Sequence, residues 1–388
     1  MKIGIFTILN VNNYGAELQC CALYRKLHKM GYDAEVVNYL FGINPGHEFK
    51  GERRTVPISL RQDIKVRLLP VVQNLFCLFH HKNKKLRDSR FDEFHSKYNH
   101  LTPTLYPSVK SLYEAGFDYD VICIGSDQVW NYMKGYSLEP FLACFDKKQT
   151  RKISYASSIG LSEISREAEA VFKKWLSAFS HISVREQQAS TLLGNLLQRN
   201  VDVVLDPTLI LDHEEWLEVA RFDMCPKEKY ILVYIVTIKP CDYVLRLARH
   251  IAKQRNLKIV RICRDAYPEQ CPVCYPEHSG DDVQEILTAG PSDFVGLFAN
   301  AEFVVTNSFH GTVFSVNFSK PFYSVIKSKH STNSRLTSIL QKLALESRIV
   351  SVGDDFPEIT DIDYTLPAEQ LRRERSHSLE YLQKALSC

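Results

Sequence analysis

Several polar clusters in this chain follow short apolar runs, and their residue types suit chemistry on small anions and sugars. The last of them is Thr306-Asn307-Ser308-Phe309-His310-Gly311-Thr312. His310 carries a group that titrates near neutral pH. Ser308, Gly311 and Thr312 stand where a strand gives way to a helix, and N–H groups at a helix start favour an anion. Gly311, with no side chain, would admit that anion closely. An anion cradle with an acid/base group beside it fits a phosphorylated or carboxylated substrate.

The other clusters are of the same kind. Asn10-Val11-Asn12-Asn13-Tyr14-Gly15 offers Asn12, Asn13 and Gly15 as a hydrogen-bonding rim for a sugar or phosphate, or as a turn made of turn-formers. Gly125-Ser126-Asp127-Gln128-Val129-Trp130-Asn131 offers donors and acceptors on Asp127, Gln128 and Asn131. Trp130 presents a flat apolar face of the kind sugars stack on; the other reading is a core tryptophan. Arg185 follows the run Ile182-Ser183-Val184 and would clamp a carboxylate or phosphate through two parallel bonds, or pair with Glu186.

These clusters need elements to hold them. Ile3–Leu9, Ala34–Tyr39, Tyr119–Ile124, Lys152–Ala156, His181–Val184 and Asp202–Leu205 read as buried strands of a first half. Tyr230–Val236, Lys258–Ile262, the run Phe303-Val304-Val305 and Phe322–Ile326 read as strands of a second. Helices alternate with them: Cys20, Leu23, Leu27 and Met30 recur at helical spacing before Gly31, and Gly290-Pro291-Ser292-Asp293 starts another. This alternation predicts an α/β protein of two doubly wound, Rossmann-like domains facing a cleft, with ligands at the carboxyl ends of the strands. The boundaries expected are 1–222, with a helical insertion at about 41–110, then 223–366. A last helix at 367–388 would pack back across the domains. The first loop lacks G-x-G-x-x-G, so no dinucleotide site is expected.

Composition excludes several classes. The net charge of +3 from 48 basic and 45 acidic residues is too mild to argue for nucleic acid. The 11 cysteines are scattered and odd in number, which suits a reduced, cytoplasmic protein. No run approaches the roughly 18 apolar residues of a membrane span. The basic amphipathic stretch from Ile64 to Phe79, followed by Lys82, Lys84, Lys85, Arg87 and Arg90, reads either as a solvated helical face or as a contact with the inner face of an anionic membrane. Cys263, Cys271, Cys274 and His278 contain C-x-x-C without a convincing partner pair, and no metal is expected.

Taken together and in order, the blocks NNYGAELQ, DYDVICIGSDQVWN, ISYASSIG, ISVRE, VLDPTLIL, AGPSDFVGLFANAEFVVTNSFHGTVFSVNFSKPF and SRLTSILQKLALESRI resemble the polysaccharide pyruvyl transferase family over nearly the whole chain. The resemblance implies a GT-B-like, two-domain transferase that moves pyruvate from phosphoenolpyruvate onto a pair of sugar hydroxyls as a cyclic ketal, in surface polysaccharide or exopolysaccharide biosynthesis. It implies no cofactor, with phosphoenolpyruvate as donor substrate and a saccharide, free or lipid-linked, as acceptor. His310 matches the family's acid/base histidine and Arg185 its arginine for the donor's phosphate or carboxylate. Ser308, Gly311 and Thr312 would complete the donor site, and a family lysine falls at Lys327 or Lys329. Asn12, Asn13, Gly15, Asp127, Gln128, Trp130 and Asn131 would form the acceptor side in the first domain. The chain departs from many members at Ser308, where they have arginine, and at Ala16, where they have aspartate. The alternatives are a nucleotide-sugar glycosyltransferase on a similar scaffold and a non-catalytic glycan- or anion-binding relative.

Overall fold

The computed structural model describes residues 1–42, 47–48, 55–56, 81–134, 136–236, 241–264, 280–327 and 334–387. The chain divides into two compact units. Unit 1 is Met1–Pro70, His95–Ile210 and Glu374–Cys388; unit 2 is Val71–Phe94 and Leu211–Arg373. The division after Ile210 precedes the expected one at 222. Val71–Phe94, expected within an insertion of the first domain, is grouped with the second.

Unit 1 is built on parallel strands β1 (Lys2–Phe6), β2 (Asp33–Val36), β3 (Val121–Ile124) and β4 (Arg151–Ser154), in the order β2-β1-β3-β4. The short pair β5 (Ser183–Val184) and β6 (Asp202–Val203) continues the sheet through parallel bridges Ile153–His181 and Ser157–Val184. All four residues of β3 are buried, as expected of a strand covered on both faces. The helix Tyr14–Lys29 that follows β1 starts on Asn13, whose side chain accepts the N–H groups of Gly15 and Ala16. It stops before Gly31, which sits at φ 86, a conformation that glycine adopts without penalty. The C-terminal helix runs from Thr365 to Ser387, longer than the sequence pattern suggests. Within unit 1 its Tyr381 donates to the Ser154 carbonyl at 2.8 Å, Arg375 Nε to the Leu209 carbonyl at 2.6 Å, and Ser378 Oγ accepts from Leu205 N at 2.9 Å.

Unit 2 carries a parallel sheet of β7 (Tyr230–Tyr234), β8 (Lys258–Ile262), β9 (Val283–Ile286), β10 (Phe303–Thr306), β11 (Phe322–Ile326) and β12 (Ile349–Ser351). The order is β12-β11-β10-β7-β8-β9. The strands β9 and β12 were not apparent from the sequence, because each is short and partly polar or isolated from a clear apolar run. β10 pairs with β7 in the register Phe303–Ile231 to Thr306–Tyr234. Ile231, Val233, Leu247, Val305 and Tyr323 belong to one core cluster.

The chain reverses direction across each sheet at one place. In unit 1 this is between β1 and β3; in unit 2 it is between β7 and β10. Ligands of open parallel sheets bind at such switch points, beyond the carboxyl ends of the strands.

Candidate functional site

In unit 2 the switch point puts His310 at the carboxyl edge. β10 ends at Thr306, Ser308 caps the helix Phe309–Asn317, and His310 lies in its first turn. The local fold is fixed by side chains. Ser308 N–H donates to Thr306 Oγ1 at 3.0 Å, and Thr306 Oγ1 donates to the Tyr234 carbonyl of β7 at 2.6 Å. Asn307 Oδ1 accepts Val236 N–H at 2.7 Å, tying the end of β10 to the end of β7. The His310 ring is half-buried and packs edge-on against Phe309, with centroids 5.3 Å apart.

The neighbours predicted as anion donors are used otherwise. Gly311 N–H goes to Ser308 Oγ at 3.3 Å, and Thr312 N–H to the Ser308 carbonyl at 3.0 Å. The Thr312 hydroxyl meets Ser324 Oγ at 2.6 Å in the interior. Gly311 is required by packing, since a Cβ there would stand 2.4 Å from Thr306 Oγ1. Ser308 is the cap that holds the turn. Lys327 lies exposed at the end of β11, and Lys329 falls outside the described residues.

In unit 1 the carboxyl edge has a different chemistry. Arg185 leaves β5 with its side chain only 2% exposed. Its Nη1 donates to Asp206 Oδ2 at 2.6 Å, and its Nη2 lies 3.7 Å from Asp127 Oδ1. Asp206 also accepts from Ser126 Oγ at 3.1 Å and from Thr208 N and Oγ1 at 3.0 and 2.6 Å. Burial alone would lower the Arg185 pKa; the carboxylates of Asp206, Asp127 and Glu186 reverse this and hold it above its ordinary value. The guanidinium expected to stand open for a phosphate is therefore closed on carboxylates. Glu186 is buried too, and its Oε1 accepts Ser158 Oγ at 2.8 Å and the N–H groups of Ile159 and Gly160 at 3.2 Å. Three carboxylates around one guanidinium make this edge formally anionic.

Of the residues expected to meet an acceptor, Asp127 keeps part of its side chain in solvent and takes a left-handed φ of 67. That conformation costs on the order of 1 kcal/mol or more for a residue with a side chain. It is held by the Asp127 carbonyl, which accepts Ser158 N–H at 2.9 Å. Asn12, at φ 49, is half-buried, and Asn13 is exposed but its side chain caps the helix. Gly15 is buried in the first turn. Trp130 is 0% exposed and its Nε1 donates to the Phe141 carbonyl at 2.9 Å, so it belongs to the core and offers no face to a sugar. Asn131 Nδ2 donates to Gln128 Oε1 at 3.1 Å, and both side chains pack beneath Gly160.

Arg87 and Arg90 face inward within unit 2. Arg87 donates to the carbonyls of Cys263 and Arg264 at 3.0 and 2.6 Å, and Arg90 to that of Thr288 at 3.0 Å. Arg87 is thus buried, while Arg90 keeps 24% of its side chain exposed. The stretch from Ile64 to Phe79, and Cys271, Cys274 and His278, lie outside the described residues. Among the described residues no group of three or more His, Cys, Asp or Glu could hold a metal, and no helix is long and apolar enough to cross a membrane.

Sequence reasoning offered Glu186 as a partner of Arg185 but overlooked Asp206, the carboxylate it bonds, and Ser126, which donates to Asp206. It also overlooked a buried pair in the first loop of unit 1, where His95 Nε2 lies 2.5 Å from Glu17 Oε2. Glu17 sits in the first helical turn after the Asn12–Asn13 loop, and its Oε1 accepts Val11 N–H at 3.4 Å.

Two doubly wound parallel α/β units with polar carboxyl edges make a GT-B-like fold. The chain belongs to the polysaccharide pyruvyl transferase family, whose model matches residues 13–329, and is thus a transferase acting on polysaccharide. No curated protein matches the sequence. Among solved structures it is similar to UDP-GlcNAc 2-epimerase from Neisseria meningitidis bound to UDP-GlcNAc, with 10% identity, TM-score 0.51, and coverage of 99% of this chain and 100% of that one. It is similar also to a Listeria monocytogenes protein described as a UDP-N-acetylglucosamine 2-epimerase, with 10% identity, TM-score 0.52, and coverage of 99% and 89%. At such identity the likeness concerns the fold alone.

Proposed function

We propose that the protein transfers pyruvate from phosphoenolpyruvate to two hydroxyls of a saccharide, forming a cyclic ketal, and that unit 2 binds the donor while unit 1 binds the acceptor. The observation that carries this reading is the position of His310 at the unit 2 switch point. The unit 1 edge, with its carboxylates, suits a neutral polyol and disfavours a second anion.

The reaction then runs as follows. His310 delivers a proton to the methylene carbon of phosphoenolpyruvate, leaving an oxocarbenium-like centre at C2. A saccharide hydroxyl attacks C2 and its proton passes to the departing phosphate. The bond from C2 to the phosphate oxygen breaks and inorganic phosphate departs. The neighbouring hydroxyl closes the ring and its proton returns to the histidine. Phosphoenolpyruvate and diol thus become ketal and phosphate. Arg185 acts through Asp127 and Asp206, which it holds in place, rather than on the donor. A proton-transfer group of this kind contributes about 10²–10⁴-fold.

The test is release of inorganic phosphate from phosphoenolpyruvate on incubation with saccharides bearing free vicinal or 1,3-diols, with His310→Ala as control. Saccharide-dependent release that the variant lacks supports the reading. Turnover of a UDP-sugar in place of phosphoenolpyruvate would replace it with glycosyl transfer.

A further inference from the structure

Among the described residues, basic side chains follow the central strands of unit 2 at their carboxyl ends. The described residues that leave β7, β8, β10 and β11 bring Arg264, His310 and Lys327 and no carboxylate. Arg264 stands on one side of the histidine turn: its Nη1 donates to the Val236 carbonyl at 3.2 Å, while Val236 N–H donates to Asn307. A single residue of β7's end therefore joins the Arg264 guanidinium to the turn that carries His310.

Arg335 stands on the other side. It comes from the helix Ser334–Lys342, which follows β11, the parallel neighbour of β10. Its guanidinium carbon lies 6.0 Å from the centroid of the Phe309 ring, and that ring packs on His310. Phe309 thus serves both as a platform for the cation and as a wall for the imidazole. Ser308, the cap two residues before His310, supplies no charge. The guanidinium on the Phe309 ring comes instead from the helix that follows β11.

We propose that Arg264 and Arg335 are two anion-binding side chains that flank His310, so that this edge takes a compact ligand with two separated acidic groups. Phosphoenolpyruvate, with a phosphate ester and a carboxylate both carried by C2, has that character, and to this extent the inference rests on the function proposed above. A guanidinium matches either group with a two-bond fork that an ammonium cannot reproduce. The pair also makes the edge selective: inorganic phosphate engages one arginine and phosphoenolpyruvate both.

The experiment is calorimetric titration of phosphoenolpyruvate, inorganic phosphate and UDP into the full chain, its Arg335→Gln and Arg335→Lys variants, and Arg264→Lys. Lys148→Ala, which removes an exposed cation of unit 1, is the control. Melting curves without ligand establish that each variant is folded. The expected result is at least a tenfold loss of phosphoenolpyruvate affinity in Arg335→Gln and a smaller loss in both lysine variants. Inorganic phosphate should lose less, and the control should be unchanged. Affinity for phosphoenolpyruvate within twofold of the parent in folded Arg335→Gln overturns the inference and leaves the proposed donor standing. Binding of UDP but not phosphoenolpyruvate, lost in Arg335→Gln, overturns the donor and keeps the anion site. No binding of any of these anions by the parent overturns both.

Discussion

Arg185 Nη1 lies 2.6 Å from Asp206 Oδ2, and neither side chain is more than 2% exposed. The pair is completed by Ser126 and Thr208 on the carboxylate and by Asp127 on the guanidinium. It is a strut beneath the unit 1 switch point. Removal of one partner leaves the other charged and buried, which costs about 3–5 kcal/mol. Arg185→Ala should therefore lower the denaturant midpoint and abolish turnover while the dissociation constant of phosphoenolpyruvate stays within twofold. A large rise in that constant, with unaltered stability, would restore Arg185 as a direct donor contact.

His310→Ala should stay folded and lose about 10²–10⁴-fold in turnover. The ring is half-buried at a helix start and its removal leaves the Ser308 cap intact. Saccharide-dependent phosphate release with the variant close to the parent rate would remove His310 from the chemistry.

Gly311→Ala places a methyl 2.4 Å from Thr306 Oγ1, and overpacking of this kind costs about 1–3 kcal/mol. In a double-mutant cycle with Thr306→Ala the combined loss should be smaller than the sum, because the second change opens the space the first one fills. Strict additivity would show that the two residues do not meet.

Trp130→Phe should cost about 1 kcal/mol through the lost bond to the Phe141 carbonyl and leave acceptor KM unchanged. A rise in acceptor KM at unaltered stability would return Trp130 to the sugar-binding surface.

Lys152 Nζ meets Asp146 at 2.5 Å, with the side chains 10% and 5% exposed. Burial raises the Asp146 pKa, but Lys152, Thr150 and the Lys148 N–H together outweigh it and leave it lowered. A folded pKa below the unfolded value gives stability that is present above the unfolded value, about 3.9. That stability is lost as pH falls through the folded one. Asp146→Asn should flatten the acid limb of stability against pH in that window, below about pH 4. An unchanged acid limb would mean that other carboxylates control it.

The positions of the reactive turns were legible because apolar runs followed by polar clusters mark the carboxyl ends of buried parallel strands. His310, Arg185 and Asp127 all fall where that pattern puts them. What each side chain does there was not legible. Trp130 reads equally as core or as sugar platform until its indole is seen on Phe141. Gly311 reads as an opening for a ligand until Thr306 is found where its Cβ would stand. Arg87 reads as part of a basic surface until it is seen bonding Cys263, 176 residues away. Such tertiary partners leave no periodic trace in the chain. Strand runs as brief as β9 and β12 are equally silent, since their partly polar residues do not repeat long enough to declare a period.

The central claim is that the donor binds at the His310 edge of unit 2. Hydrogen–deuterium exchange with and without phosphoenolpyruvate tests it most directly. The account predicts slowed exchange at residues 303–317 and at the end of β7, with no change across 121–131. Protection at 121–131 and 183–186, with residues 303–317 unaffected, would contradict it and place the donor on Arg185.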